Sequence, residues 1–135
     1  MTLKTFNHWL DAWDNHDIEG IMELLHDEII FENWDGTIIK GKKILKKAWV
    51  IWFSQNDNFK FTKKEIFIDD HSQKLLFRWQ LKWKSHEKNF ENKYEVRDGV
   101  DIIHYNQNKI ILKTSFIKTK IRIENKTYML NPNHK

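Results

Sequence analysis

The chain of 135 residues contains no cysteine, so disulfide bonds and thiolate metal sites are excluded. It also lacks any run of about 18 apolar residues, the length that a membrane-spanning helix requires. Its first residues lead directly into an amphipathic segment with Asp11 and Asp14, a pattern that differs from a secretory signal peptide. A cytoplasmic location is therefore the default expectation.

Signatures of metal, phosphate and nucleophilic chemistry are also missing from the sequence. The seven histidines show no His-x-x-x-His spacing, and the chain has no glycine-rich phosphate loop and no recognisable serine nucleophile motif. The sequence therefore predicts neither a bound metal nor a cofactor.

What the chain does contain is a large apolar and aromatic fraction. Apolar residues make up 40% and aromatic residues 14%, with seven tryptophans, which suits one domain with a substantial core. The formal net charge is +4, but the 23 basic residues are interleaved with 19 acidic ones. The one dense basic group, between Lys40 and Lys47, fits the solvated face of a helix, so a nucleic-acid partner is not expected.

Apolar residues repeat with a helical period in three segments of the first half of the chain. The first repeats at i, i+3, i+4 and i+7 and predicts a helix from about Thr2 to Asn15. Asp17 is a good N-cap for a second helix, and a third is predicted over about Lys42 to Phe53. A short hairpin with its turn at Asp35-Gly36 separates the second helix from the third.

From Phe59 onwards the period changes to two, which is typical of β-strands. Two later strands flank a polar turn at Asn106–Asn108, while Ile121 and Ile123 either extend the last strand or form a short one. Asn131–Lys135 are expected to fray. The clearest alternation places five side chains on one face: Leu75, Phe77, Trp79, Leu81 and Trp83.

Helices grouped before a meander of strands indicate the α+β class. We expect three N-terminal helices on one face of a curved, mostly antiparallel sheet, with a cone-shaped pocket between them.

Asp101 interrupts a strand that otherwise looks buried, because its neighbours are Val100 and Ile102. A carboxylate there needs a partner, a wet cavity or a raised pKa. Two interpretations stay open. Asp101 is either an acid/base group in a pocket or a structural aspartate bonded to a backbone amide or to a basic neighbour such as Lys113.

Several stretches, in this order and spacing, resemble one superfamily: Trp9–Ile21, Leu24–Asn33, Gly41 at a helix start, Leu76–Trp79 and Gly99–Tyr105. They are similar to the nuclear transport factor 2-like proteins, particularly the SnoaL-like and ketosteroid-isomerase-like branches. The resemblance implies a cystatin-like α+β cone with a pocket for a small hydrophobic molecule. It also implies a homodimer, the common state of the superfamily.

Carried over residue by residue, the resemblance preserves one of three ketosteroid isomerase positions. Asn33 stands where those enzymes have an aspartate base, and Trp9 stands where a tyrosine donates a hydrogen bond. Only Asp101 matches, and SnoaL-like cyclases use an aspartate near this position as acid/base. Asp101 is therefore the candidate catalytic residue for isomerase, cyclase or dehydratase chemistry. The alternative is a non-catalytic ligand-binding or protein-interaction module.

The sequence also predicts which residues line the pocket and which form an interface on the outer face of the sheet. We expect two or three tryptophans at the cavity and the rest in the core. Val100 and Ile102, with Leu112 and Phe116 on the next strand, predict a homodimer through the outer sheet face. The predicted pocket residues are Trp9, Trp13, Asn33, Trp52, Trp79 and Ile103.

The sequence leaves two alternatives for which face of the last strand points inward. Its apolar stripe runs through Ile110, Leu112, Thr114 and Phe116 and favours those residues as core. The family resemblance instead turns Ile111, Lys113, Ser115 and Ile117 toward the pocket.

Overall fold

The computed structural model describes residues 1–130, so the fraying predicted for Asn131–Lys135 lies outside the described residues. Within these residues, three helices and eight strands follow the predicted order of two helices, a short hairpin, a third helix and then a meander of strands. The helices are α1 (Leu3–Asp14), α2 (Ile18–Glu23) and α3 (Lys42–Gln55). The strands are β1 (Leu25–Glu32), β2 (Ile38–Lys40), β3 (Lys60–Asp69), β4 (Lys74–Lys84), β5 (Tyr94–Asn106), β6 (Lys109–Ile117), β7 (Lys120–Ile123) and β8 (Lys126–Met129).

Both N-terminal helices begin at a capping side chain. The Thr2 hydroxyl accepts a hydrogen bond from the backbone N–H of Thr5 at 3.0 Å, and the Asp17 carboxylate accepts one from Gly20 N–H at 3.1 Å. The prediction of Asp17 as an N-cap is therefore confirmed. The second helix is shorter than its apolar stripe suggested, because Leu25 already belongs to β1.

The sheet is curved and mostly antiparallel, as predicted, with the strand order β2-β1-β6-β5-β4-β3. Among the strands of residues 1–130, only β1 and β6 are paired in parallel. β7 pairs with β5 at Glu95 and Val96, and β8 then pairs with β7. Ile121 and Ile123 thus form a short strand of their own, while β8 was missed. The signal for it was the polar turn at Glu124-Asn125, where both residues have positive φ.

A bulge in β6 decides which of its side chains face inward. His104 pairs with Leu112 but Tyr105 pairs with Ile110, so Ile111 is an extra residue without a pairing partner on β5. Because of this insertion, Ile110 lies on the same inner face as Lys113 and Ser115. The apolar-stripe interpretation is therefore wrong beyond the bulge.

The core lies between the helices and the concave side of the sheet. Phe6 of α1, Leu45 of α3 and Leu81 of β4 are fully buried there. Within residues 1–130, no helix is long and apolar enough to cross a membrane.

Candidate functional site

A cavity of about 370 Å³ lies between α1, α3 and the inner faces of β1 to β6. Its volume falls in the range of small-molecule sites. Six of the seven tryptophans line it, rather than the two or three expected. The aromatic lining residues are Trp9, Trp13, Phe31, Trp34, Trp49, Trp52, Phe61, Phe77 and Trp79.

Edge-to-face contacts hold these rings in fixed positions. The ring centroids of Trp13 and Trp49 are 4.9 Å apart with planes at 66°, and those of Phe31 and Trp49 are 5.4 Å apart at 71°. Such tilted pairs are favourable because the positive edge of one ring meets the negative face of the next. The aromatic part of the cavity wall is therefore a set of mutually packed rings.

One buried polar cluster interrupts the apolar lining and consists of Asp101, Lys113 and Ser115. The Asp101 Oδ2 atom lies 3.1 Å from Lys113 Nζ, and the Ser115 hydroxyl donates to Asp101 Oδ1 at 2.6 Å. Lys113 Nζ also donates to Ser115 Oγ at 3.1 Å. Asp101 is 3% exposed and Lys113 is 8% exposed, so the cluster is an ion pair closed by a hydroxyl.

Neighbouring strands create this cluster. Asp101 of β5 and Ser115 of β6 are direct register partners, and Lys113, two residues before Ser115 on β6, points to the same side. The expectation of Lys113 as a basic neighbour of Asp101 agrees with this geometry. Ser115 was missed because the sequence offered it no recognisable partner. Its register opposite Asp101 would have been the signal, had the bulge been known.

Aromatic faces give Lys113 further stabilisation. Its Nζ atom lies 4.7 Å from the centre of the Phe31 ring and 5.9 Å from that of Trp49. A cation over a ring face is attracted by the ring quadrupole, most strongly where water is excluded. The Lys113 ammonium group therefore lies between the Asp101 carboxylate and two aromatic rings.

Two indole N–H groups of the cavity residues have different surroundings. Trp9 Nε1 donates to the Ile21 carbonyl oxygen at 2.9 Å, so it ties α1 to α2 and is not free for a ligand. Trp9 therefore lines the cavity without replacing the tyrosine donor that the resemblance places there. Trp79 Nε1 is buried and has no hydrogen-bond partner among residues 1–130.

The remaining predicted residues divide into two groups. Trp13, Trp52 and Asn33 all line the cavity together with Asp101. Ile103 is not among the lining residues, because it lies two residues beyond Asp101 along β5, opposite Leu75, and is fully buried in the core.

A second buried charged group lies further along β5, outside the cavity lining. Glu95 is fully buried and accepts hydrogen bonds from Trp83 Nε1 at 2.6 Å, from the Ser85 hydroxyl at 2.6 Å and from Arg97 Nε. The Arg97 guanidinium lies 5.6 Å from the ring centre of Trp34, which does line the cavity. This group supports one part of the cavity wall, and the sequence reasoning did not foresee it.

No set of three or more histidine, aspartate or glutamate side chains in the described part of the chain is arranged to hold a metal ion. Chemically, the cavity offers apolar ring faces, the buried cluster of Asp101, Lys113 and Ser115, and further polar side chains from Asn7, Asp11, Asp14, Asn33 and Lys63.

Three helices on a curled sheet around such a cavity define the nuclear transport factor 2-like fold. Residues 6–112 match the model of the SnoaL-like domain, and the chain belongs to this family. No curated protein sequence matches it significantly.

Solved structures agree with this fold at low sequence identity. An NTF2-like protein of unknown function from Burkholderia pseudomallei is 9% identical, with a TM-score of 0.74 over 87% of this chain and 92% of that chain. An epoxide hydrolase of the LEH-like type from Mycobacterium tuberculosis is 14% identical, with a TM-score of 0.70 over 86% and 81%. A further M. tuberculosis protein, in complex with estradiol-17beta-hemisuccinate, is 19% identical, with a TM-score of 0.69 over 84% and 91%.

Proposed function

We propose that this protein binds a small, largely hydrophobic molecule in its cavity. The observation that carries the proposal is the aromatic lining around about 370 Å³ of space. Rigid ring faces favour a flat apolar molecule, since they bury its surface without ordering flexible side chains. The M. tuberculosis neighbour in complex with estradiol-17beta-hemisuccinate lends support from the same fold.

Filling the cavity from within tests this proposal. Ala48 lines the cavity from α3, whereas Val50 of the same helix is 45% exposed to solvent. We expect estradiol to quench the tryptophan fluorescence of the wild-type protein and of Val50→Phe, but not of Ala48→Phe. Equal quenching of both variants, or none in the wild-type protein, would contradict the proposal. Native mass spectrometry of the purified protein provides an independent search for a bound molecule.

A second candidate function is proton transfer by Asp101 on the bound molecule. The observation that favours it is the position of Asp101, whose carboxylate belongs to the cavity lining and lies beside the Lys113 ammonium group and the Ser115 hydroxyl. Such a base could remove a proton next to a carbonyl group, the first step of isomerase, cyclase or dehydratase reactions.

Hydrogen–deuterium exchange of a simple ketone tests the catalytic candidate. We expect the wild-type protein to accelerate exchange at the carbon next to the carbonyl of indanone, measured by NMR in deuterated water. Asp101→Asn should abolish the acceleration. Asp98→Asn, on the same strand but outside the cavity lining, is the matched control and should retain it. Exchange no faster than in protein-free buffer would contradict a role for Asp101 as base.

We also propose that the outer face of the sheet pairs with a second copy of the chain. Phe67, Ile102 and Phe116 project from this face and are 61%, 39% and 50% exposed. Large apolar side chains exposed on one face of a sheet are typical of an interaction surface. Sedimentation should give a dimer at micromolar concentration, and Ile102→Asp should dissociate it. Ile44→Asp, at a more exposed site on α3, should not. A monomeric wild-type protein would contradict the proposal.

A further inference from the structure

The outer face of the sheet divides into an apolar half and a basic half. The residues of β4 alternate between buried and exposed positions, so Arg78, Lys82 and Lys84 all point away from the cavity. From the row of Arg78 onward, cations of the neighbouring strands lie on the same outer side. The basic half of the outer face is defined by eight cations: Lys60, Lys64, Arg78, Lys82, Lys84, Lys118, Lys120 and Arg122.

Few acidic side chains balance these cations. Two accompany them on the described strands of the basic half, Glu65 opposite Arg78 and Asp98 on β5. Eight positive and two negative groups give a formal charge of +6, which exceeds the +4 of the whole chain. Asp98 is already bonded, because it accepts from Arg122 Nη1 at 2.7 Å and from Gln80 Nε2 at 3.0 Å. The fold therefore gathers on one surface cations that the sequence scatters between positions 60 and 122.

One pair of these cations lies directly opposite across two strands. Lys60 of β3 and Lys82 of β4 are register partners, and both are exposed. Like charges directly opposite each other in a sheet are destabilising. Neither lysine forms an ion pair with an acidic side chain among residues 1–130. An anion lying across the two strands would replace this repulsion with attraction.

The shape of the basic half also favours an extended anion. Tyr94 is 49% exposed at one end, and Lys82 Nζ lies 5.2 Å from the centre of its ring. Cations along a groove together with an exposed aromatic ring are the means by which proteins bind single-stranded nucleic acid without reading its sequence. Four of the eight cations line a groove of about 600 Å³: Lys64, Arg78, Lys118 and Arg122.

We propose that the basic half of the outer face binds single-stranded nucleic acid through its phosphate backbone. The proposal is independent of the cavity, which lies on the inner face of the sheet. It also leaves the apolar half, with Phe67 and Ile102, available to a second copy of the chain. The dense lysine group of α3 has no part in it, so the cations that matter are those that only the strand register brings together.

Salt dependence of binding to a labelled oligothymidylate of about twelve nucleotides tests the proposal by fluorescence anisotropy. If the basic half contacts about five phosphates, the logarithm of the affinity should fall with the logarithm of the salt concentration with a slope of about −3.5. Arg78→Gln and Lys82→Gln should each weaken binding and each reduce the magnitude of the slope by about 0.7.

Lys43→Gln is the matched control, since it removes the same charge from an exposed position of α3. Affinity and slope should both stay at their wild-type values. Tyr94→Leu separates stacking from charge, because it removes a ring and no cation. It should lower the affinity by about tenfold and leave the slope unchanged. Arg78, Lys82 and Tyr94 are all exposed, so these variants should keep the urea midpoint of the wild-type protein.

The alternative partners give different results in the same assay. No binding at about 50 mM salt, or a slope that Arg78→Gln and Lys82→Gln leave unchanged, would overturn the proposal. Equal affinity for polyglutamate would replace nucleic acid by an acidic protein segment. Tighter binding of a DNA duplex, or of vesicles containing phosphatidylserine, would overturn the single-stranded class. Estradiol quenching by the same variants should match the wild-type protein, so the cavity function stands or fails separately.

Discussion

Replacing Lys113 by methionine tests whether the buried polar cluster is a true ion pair. Methionine keeps the length and the apolar stem of lysine but removes the charge, so Asp101 would keep only its bond from Ser115. The two charged atoms lie 3.1 Å apart. At an effective dielectric constant of about 20, this distance corresponds to an attraction of about 5 kcal/mol.

Desolvation offsets most of this attraction in the intact pair, because each buried ion loses several kcal/mol of hydration. Removing one partner therefore leaves the desolvation cost of the other charge without a compensating attraction. We expect Lys113→Met and Asp101→Asn each to lower the free energy of unfolding by about 3 kcal/mol. The double variant should lie within about 1 kcal/mol of the wild-type protein, since no uncompensated charge remains.

Urea unfolding followed by tryptophan fluorescence measures these differences. With a slope of about 1.5 kcal/mol per molar urea, a loss of 3 kcal/mol lowers the midpoint by about 2 M. Lys84→Met, the same change at an exposed position of β4, is the control and should stay within about 0.5 kcal/mol. Strictly additive effects in the double variant, or a negligible effect of Lys113→Met, would refute the buried pair.

Three further predictions concern other parts of the fold. Burial raises the pKa of the Tyr105 hydroxyl to about 12. The neutral hydroxyl should therefore stabilise the fold fully below about pH 10, and this contribution should be lost between about pH 10 and 12. Tyrosinate absorbance follows the ionisation, and the urea midpoint follows the stability. Burial opposes ionisation of Asp98, but hydrogen bonds led by that from Arg122 outweigh it and hold its pKa below the usual 3.8. The wild-type advantage in urea midpoint over Asp98→Asn should therefore be full near pH 6 and shrink as the pH falls below about 4. Gly99→Ala should lower the unfolding free energy by about 1–3 kcal/mol and change the near-ultraviolet circular dichroism, because the methyl group displaces the Trp79 ring; an unchanged spectrum would contradict that close contact.

The periodicity of apolar residues predicted the helices and the central strand well, because burial on one face requires apolar residues at regular spacing. Leu75 and Trp83 mark the ends of an inward stripe on β4 that the structure reproduces. The inner face of β6 could not be predicted in the same way. One extra residue, Ile111, resets the alternation, and a bulge of this kind depends on the partner strand as well as on the local sequence. Lys113 was therefore ambiguous until the pairing with β5 was known.

The hydrogen-bond partners of the tryptophan N–H groups were also beyond what the sequence could predict. Trp9, Trp79 and Trp83 are all buried, and sequence periodicity treats them alike. Their N–H groups nevertheless differ, since one meets a helix carbonyl, one meets a buried glutamate and one meets no partner among residues 1–130. Those differences arise from elements distant in the chain, which no local pattern records. Two of these indoles are hydrogen-bonded within the fold, whereas the third, at Trp79, packs edge-on against the Phe61 ring.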